Sequence, residues 1–161
     1  AEDGIRVLVR SRGLGDVYKR QVFRTADAFR MESILLCGIT ATPPHKDIHK
    51  TALGATESVG WKYYESTMDA ISDLKKNGYS ILAVEQVEGG TMLESLTVDL
   101  KGKYAIVFGH EMRGVQQEVI NQSDWCIEIP QSGTKHSLNI SVAAGIVIWE
   151  MFKKFRHLLN P

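Results

Sequence analysis

A chain of 161 residues, 43% hydrophobic and 24% charged, is long enough to bury the core of one domain, and its composition excludes a disordered or low-complexity protein. Nineteen basic residues balance nineteen acidic ones, so no global field announces a nucleic-acid partner; such a contact needs a local patch, or a second subunit that doubles one. No apolar run reaches membrane-spanning length and the first residues lack the apolar centre of a secretion signal, so the expected compartment is the cytoplasm.

Residues 5–9 alternate as a short strand and run into a basic, Gly-punctuated loop reaching residue 21. Arg6, Arg10, Arg12, Lys19 and Arg20 read as a solvated face, with a phosphate-binding arm as the alternative. A short helix is predicted over 22–30, with Phe23, Ala26 and Phe29 towards the core. On its outer side Arg24 and Asp27, three apart, are spaced for a surface ion pair. The run Ile34, Leu35, Leu36, closed by Gly38, predicts a buried strand over 32–38. A long polar connection follows, in which Pro43 and Pro44 exclude helix and Asp47 is placed to cap a short helix through Leu53. His45, Lys46, His49 and Lys50 make it positive and titratable, fit for a substrate-facing loop or a plain exposed one. His45 and His49 have no third ligand near them, so no metal is expected.

Residues 61–64 form an aromatic strand, and 67–76 a helix with Met68, Ile71 and Leu74 inward and Asn77 and Gly78 as its stop. A buried strand over 79–85 leads into a loop, 86–91, containing Gly89 and Gly90. The last third continues with a strand (104–108), a Gly-bounded polar turn (109–114), a short helix, a strand (125–129), a polar loop and a long helix (138–159). The first half of that helix is apolar nearly all round, which suits burial between layers or against another subunit. Cys37 and Cys126 sit in apolar strand-like runs and read as buried free thiols. The alternation of strand and helix predicts an α/β domain, a mostly parallel sheet with helices on both faces and no second domain. In such sheets ligands collect at loops past strand ends and at helix starts, where bare N–H groups are presented; the segments at 109, 129–133 and 137–139 qualify.

Those segments also carry a family likeness. Residues 108–114 (FGHEMRG), the pair Ile129 and Pro130, and residues 137–144 (SLNISVAA) resemble the second and third motifs of the SpoU (TrmH) branch of the SPOUT RNA methyltransferases. Residues 23–29 (FRTADAF) resemble the second half of that family's first motif, and the likeness runs from about Val22 to the end of the chain. It divides the chain into residues 22–161, a SpoU-type methyltransferase domain without a separate RNA-binding domain, and residues 1–21, divergent or not the natural N-terminus. The family's Asn and Gly ahead of the Arg are replaced by Tyr18 and Arg20, and His110 stands where Asn is usual.

The resemblance implies a C-terminal trefoil knot, a homodimer, and transfer of methyl from S-adenosylmethionine to a ribose 2′-hydroxyl of tRNA or rRNA. It maps catalytic roles onto Arg24, Glu111, Ser137 and Asn139. Cofactor contacts map onto Glu85, Phe108, Gly109, Gly114, Ile127, Ile129, Pro130, Ser137, Leu138 and Ala143. RNA contacts map onto Arg24, His45, Lys46, Lys50 and Arg113. A guanidinium stays protonated, so Arg24 is expected to act by charge and hydrogen bonding rather than as a base. Two alternatives stand beside this reading. One is a catalytically weakened RNA-binding or assembly protein on the same scaffold, motivated by the altered first motif; the other is a dinucleotide-binding protein, opposed by the missing G-x-G-x-x-G turn.

Overall fold

A computed structural model describes residues 4–10, 16–38, 42, 54–110, 113–134 and 137–159. Among them, seven strands form one sheet: β1 (Ile5–Arg10), β2 (Ser33–Cys37), β3 (Gly60–Tyr64), β4 (Tyr79–Val84), β5 (Thr91–Met92), β6 (Lys103–Phe108) and β7 (Trp125–Glu128). The order across the sheet is β3-β2-β1-β6-β4-β7-β5 and every pairing is parallel. The helices are α1 (Asp16–Ala28), α2 (Ala55–Ser58), α3 (Thr67–Lys76), α4 (Gln117–Gln122) and α5 (Ile140–Leu159).

Parallel strands need helical crossovers, which cover both faces, so the central strands must be apolar on both sides. Their side chains divide by parity. Val7, Val9, Ile34, Leu36, Ile106 and Phe108 pack with Phe23 and Ala26 of α1 and Val147, Ile148 and Met151 of α5. Leu8, Leu35, Ile81, Ala83, Ala105 and Val107 point the other way, onto Ala70, Ile71 and Leu74 of α3 and Val119 of α4. Helix α3 has the bounds its sequence predicts: the Ser66 hydroxyl accepts the Asp69 N–H at 3.1 Å, and Gly78, at φ +81°, turns the chain away at the other end.

Four features depart from expectation. Helix α1 starts at Asp16, so Tyr18, Lys19 and Arg20 are helical rather than in a loop, and Lys19 is buried. Arg6 is half-buried and paired rather than freely solvated: its Nε donates to Glu32 Oε1 at 2.9 Å, and Tyr79 donates its hydroxyl to Glu32 Oε2 at 2.7 Å. Arg24 and Asp27 make no ion pair; Asp27 instead accepts the Ser58 hydroxyl at 2.6 Å, because α2 packs beside α1 and brings a closer donor. The two-residue β5, too short to leave a periodic signal, adds an edge to β7 inside what reads as loop.

Helix α5 is buried along one side only. Val147, Ile148 and Met151 are fully covered, whereas Val142 is 51%, Ile146 37% and Trp149 43% exposed, so this chain leaves an apolar stripe open. The expectation of burial between layers therefore holds for half the helix. The helix predicted after Asp47, with His45, Lys46, His49 and Lys50, lies outside the described residues. No helix among the described residues is long and apolar enough to cross a membrane.

Candidate active site

The chain turns that follow β4, β6 and β7 meet the start of α5 and enclose a cleft of about 170 Å³. Parallel strands end on the same edge of the sheet, so the register that pairs Val84 with both Phe108 and Ile127 aligns their following loops. Val84, Ile127, Ile129, Leu138, Ile140 and Ala143 supply its apolar wall, and Glu85, Gln86, His110, Glu128, Gln131 and Ser137 its polar one.

The turn after β6 is shaped by close backbone contact. His110 N–H donates to the Gly114 carbonyl at 2.9 Å and Gly114 N–H to the His110 carbonyl at 2.7 Å, folding the turn back on itself. A Cβ on Gly109 would lie 2.2 Å from the Gly114 carbonyl carbon, so only glycine permits this approach. Gly114 has φ +64°, and a Cβ there would meet Glu85 Oε2 at 2.1 Å. The Glu85 carboxylate occupies that space because it accepts the Val115 N–H at 2.8 Å and the Gln86 N–H at 3.1 Å. One side chain thus ties the end of β4 to the turn after β6. Burial first, then the Glu85 charge, raises the pKa of the neighbouring Cys126 thiol, keeping it neutral; neither Cys37 nor Cys126 is in a disulfide.

Asn139 caps α5: its Oδ1 accepts the Ser141 N–H at 2.9 Å and the Ser141 hydroxyl, and its carbonyl accepts the Ala143 N–H at 2.9 Å. That cap holds Ser137 and Leu138 at the mouth of the cleft, where Leu138 is 39% exposed.

Of the residues expected to hold a cofactor, Glu85, Gly109, Gly114, Ile127, Ile129, Ser137, Leu138 and Ala143 line the cleft. Phe108 is buried in the core beneath it, and Pro130 lies between the lining residues Ile129 and Gln131 without lining it itself. Val84, Gln86, Glu128, Gln131 and Ile140 join the lining without having been singled out; each adjoins a motif residue in sequence, which is the signal that would have found them. Arg113 is exposed on the turn. Arg24 is exposed on α1 and does not line the cleft, and Glu111 lies outside the described residues. Tyr18 and Arg20, standing at the first motif's Asn and Gly, sit within α1, so they build no tight loop beside Arg24. Among the described residues no cluster of His, Cys, Asp and Glu is arranged to hold a metal.

The profile of the SpoU rRNA methylase family matches residues 21–149. A tRNA (guanosine(18)-2′-O)-methyltransferase from Borreliella burgdorferi is 36% identical over 113 residues, covering 67% of this chain and 51% of that protein. A Staphylococcus aureus protein assigned to the TrmH family of tRNA/rRNA methyltransferases is 30% identical over 157 residues, 97% of this chain and 62% of its own length. The chain thus spans between half and two thirds of these relatives. The structure of an AdoMet-bound rRNA methyltransferase from Sinorhizobium meliloti superposes with a TM-score of 0.82 at 27% identity, covering 99% of this chain and 58% of that one.

Proposed function

The chain belongs to the SpoU rRNA methylase family, and from that membership we propose that it transfers a methyl group from S-adenosylmethionine to a ribose 2′-hydroxyl of tRNA or rRNA. The observation that carries this reading is the convergence of three loops and a helix start on one cleft at the strand ends. Its residues fit the cofactor. The glycines at 109 and 114 and Ala143 leave room for close approach, the aliphatic wall suits a purine, and the carboxylates of Glu85 and Glu128 suit a sulfonium and an ammonium. When bound, the cofactor supplies an already activated methyl group. The protein then has to align the acceptor hydroxyl, exclude water and remove one proton.

Within this reading Gly109, Ile129 and Leu138 hold the cofactor mainly through main-chain groups. Ser137, with Glu111, contacts the acceptor, and Asn139 acts through the cap that positions Ser137. Arg24 holds a phosphate or the developing alkoxide by charge. It stands on the outer side of α1, which packs along α5, and α5 carries the uncovered stripe of Val142, Ile146 and Trp149. A second copy seated on that stripe gives a homodimer that extends the RNA surface, with Arg113, His45, Lys46 and Lys50 contributing. The loops that meet at the cleft form the trefoil knot in this reading.

Incubation with labelled cofactor and bulk tRNA or rRNA tests the proposal, since methyl incorporation into RNA is required. The helical first motif around Tyr18 favours one alternative, an RNA-binding protein that does not methylate. RNA retention without incorporation would establish it. Val142→Glu tests the dimer: light scattering should show a monomer, and a wild-type monomer would remove that part of the reading.

A further inference from the structure

We propose that Glu128 reads the positive charge on the cofactor's sulfur, so that the cleft distinguishes S-adenosylmethionine from spent S-adenosylhomocysteine; the inference rests on the methyl-transfer reading above. The two molecules differ by one methyl group and one charge. The donor carries a sulfonium; with the methyl on the ribose oxygen, the C–S electron pair back on sulfur and the hydroxyl proton released to water, the product is a neutral thioether. A fixed anion in the wall attracts the first and not the second.

The described wall of the cleft holds two carboxylates, Glu85 and Glu128, and neither Lys nor Arg. Glu85 is already engaged: its Oε1 accepts the Gln86 N–H at 3.1 Å and its Oε2 the Val115 N–H at 2.8 Å, so each oxygen faces a main-chain dipole. The half-buried Glu128 has no donor or cation on its carboxylate among the described residues. An anion without a partner in a partly desolvated wall is stabilised by a cation on the ligand. The sulfonium suits it for a chemical reason. The cofactor's ammonium has N–H groups that the side-chain oxygens of Gln86, Gln131 or Ser137 can accept, whereas a sulfonium has none and is matched by charge alone.

The position is also rigid. Glu128 is the last residue of β7 and pairs with Met92 of β5, while the preceding Ile127 pairs with Val84 and its carbonyl accepts the Glu85 N–H at 3.1 Å. A charge on a strand held from both sides keeps its place with either molecule bound, so it responds to the state of the sulfur and not to the shape of the cleft. Glu128 thereby favours exchange of the neutral product for a charged cofactor.

Isothermal titration reads this without turnover, using S-adenosylmethionine, S-adenosylhomocysteine and sinefungin, whose amine puts a cation in place of the sulfonium. Glu128→Gln keeps the shape of the side chain and removes its charge. It should bind S-adenosylmethionine and sinefungin about 5–10-fold more weakly than wild type, and S-adenosylhomocysteine within about twofold. Glu128→Asp, which keeps the charge, should retain most of the wild-type preference among the three. Equal weakening of all three by Glu128→Gln overturns the inference and assigns Glu128 to the ammonium they share; unchanged binding of all three overturns it as well. Either result leaves the methyltransferase reading intact. A wild type that binds none of the three fails that reading, and the inference falls with it.

Discussion

Replacing Glu85 by Gln tests the clamp that builds the cleft. The carboxylate accepts N–H groups from Val115 and Gln86, at 2.8 and 3.1 Å. A primary amide has one oxygen, so in Glu85→Gln one N–H faces an NH2 donor instead of an acceptor, and the surviving bond loses its charge. Losing one charge-assisted hydrogen bond at a partly buried amide costs about 2 kcal/mol, which in a chain of this size lowers the melting temperature by about 4–8 °C. The ligand has to restore the turn that Glu85 no longer holds, so S-adenosylhomocysteine binds up to about 30-fold more weakly, the equivalent of that same free energy. Differential scanning calorimetry and isothermal titration on the same sample give both numbers. A variant melting within about 1 °C of wild type and binding within about twofold would show that Glu85 does not hold the turn, and the account of the cleft would fail.

Gly109→Ala drives its Cβ into the backbone of Gly114 and Val115, which cannot swing aside as a side chain can; it should cost about 1–3 kcal/mol and abolish S-adenosylhomocysteine binding, both measurable by the same calorimetry. Gly78→Ala, at φ +81° with nothing near it, should cost about 1–2 kcal/mol by strain alone and leave binding unchanged. Asp73 is held below the usual carboxylate range by the Tyr64 hydroxyl, with Lys62 adding to the effect. Its folded pKa is depressed, so the stabilisation is present above 3.8 and is lost as pH falls from there through the lowered value; acid unfolding of Tyr64→Phe should show a shallower loss in that window. Tyr79→Phe removes one of the bonds to Glu32 and should lower stability by about 1 kcal/mol, read as a smaller urea midpoint at unchanged slope.

Periodicity alone made most of the fold legible. The two-sided apolar runs at Ile34 to Leu36 and Ala105 to Phe108 have one stable use, the centre of a parallel sheet covered on both faces, and each lies in such a strand; residues 5–9, read as alternating, are covered on both faces too, because β1 sits between β2 and β6. Helix boundaries were legible where a cap announces them, as at Ser66 and Gly78, and illegible at Asp16, where the basic, Gly-punctuated sequence up to residue 21 outweighed any helical pattern. Motif residues located the cleft because a backbone site leaves glycines and a capping Asn139 in the sequence.

The tertiary structure alone decided which partners those residues take. Asp27 is spaced along its own helix for Arg24, yet it bonds Ser58, thirty-one residues away, because α2 packs against α1. Glu85 carries no local sign that it will anchor Val115; that contact exists only because β4 and β6 are neighbours in the sheet although β5 lies between them in the chain. Local pattern records the conformation each segment prefers and the face it buries. A long-range hydrogen bond depends on which strand ends are brought side by side, and that is settled only when the sheet closes.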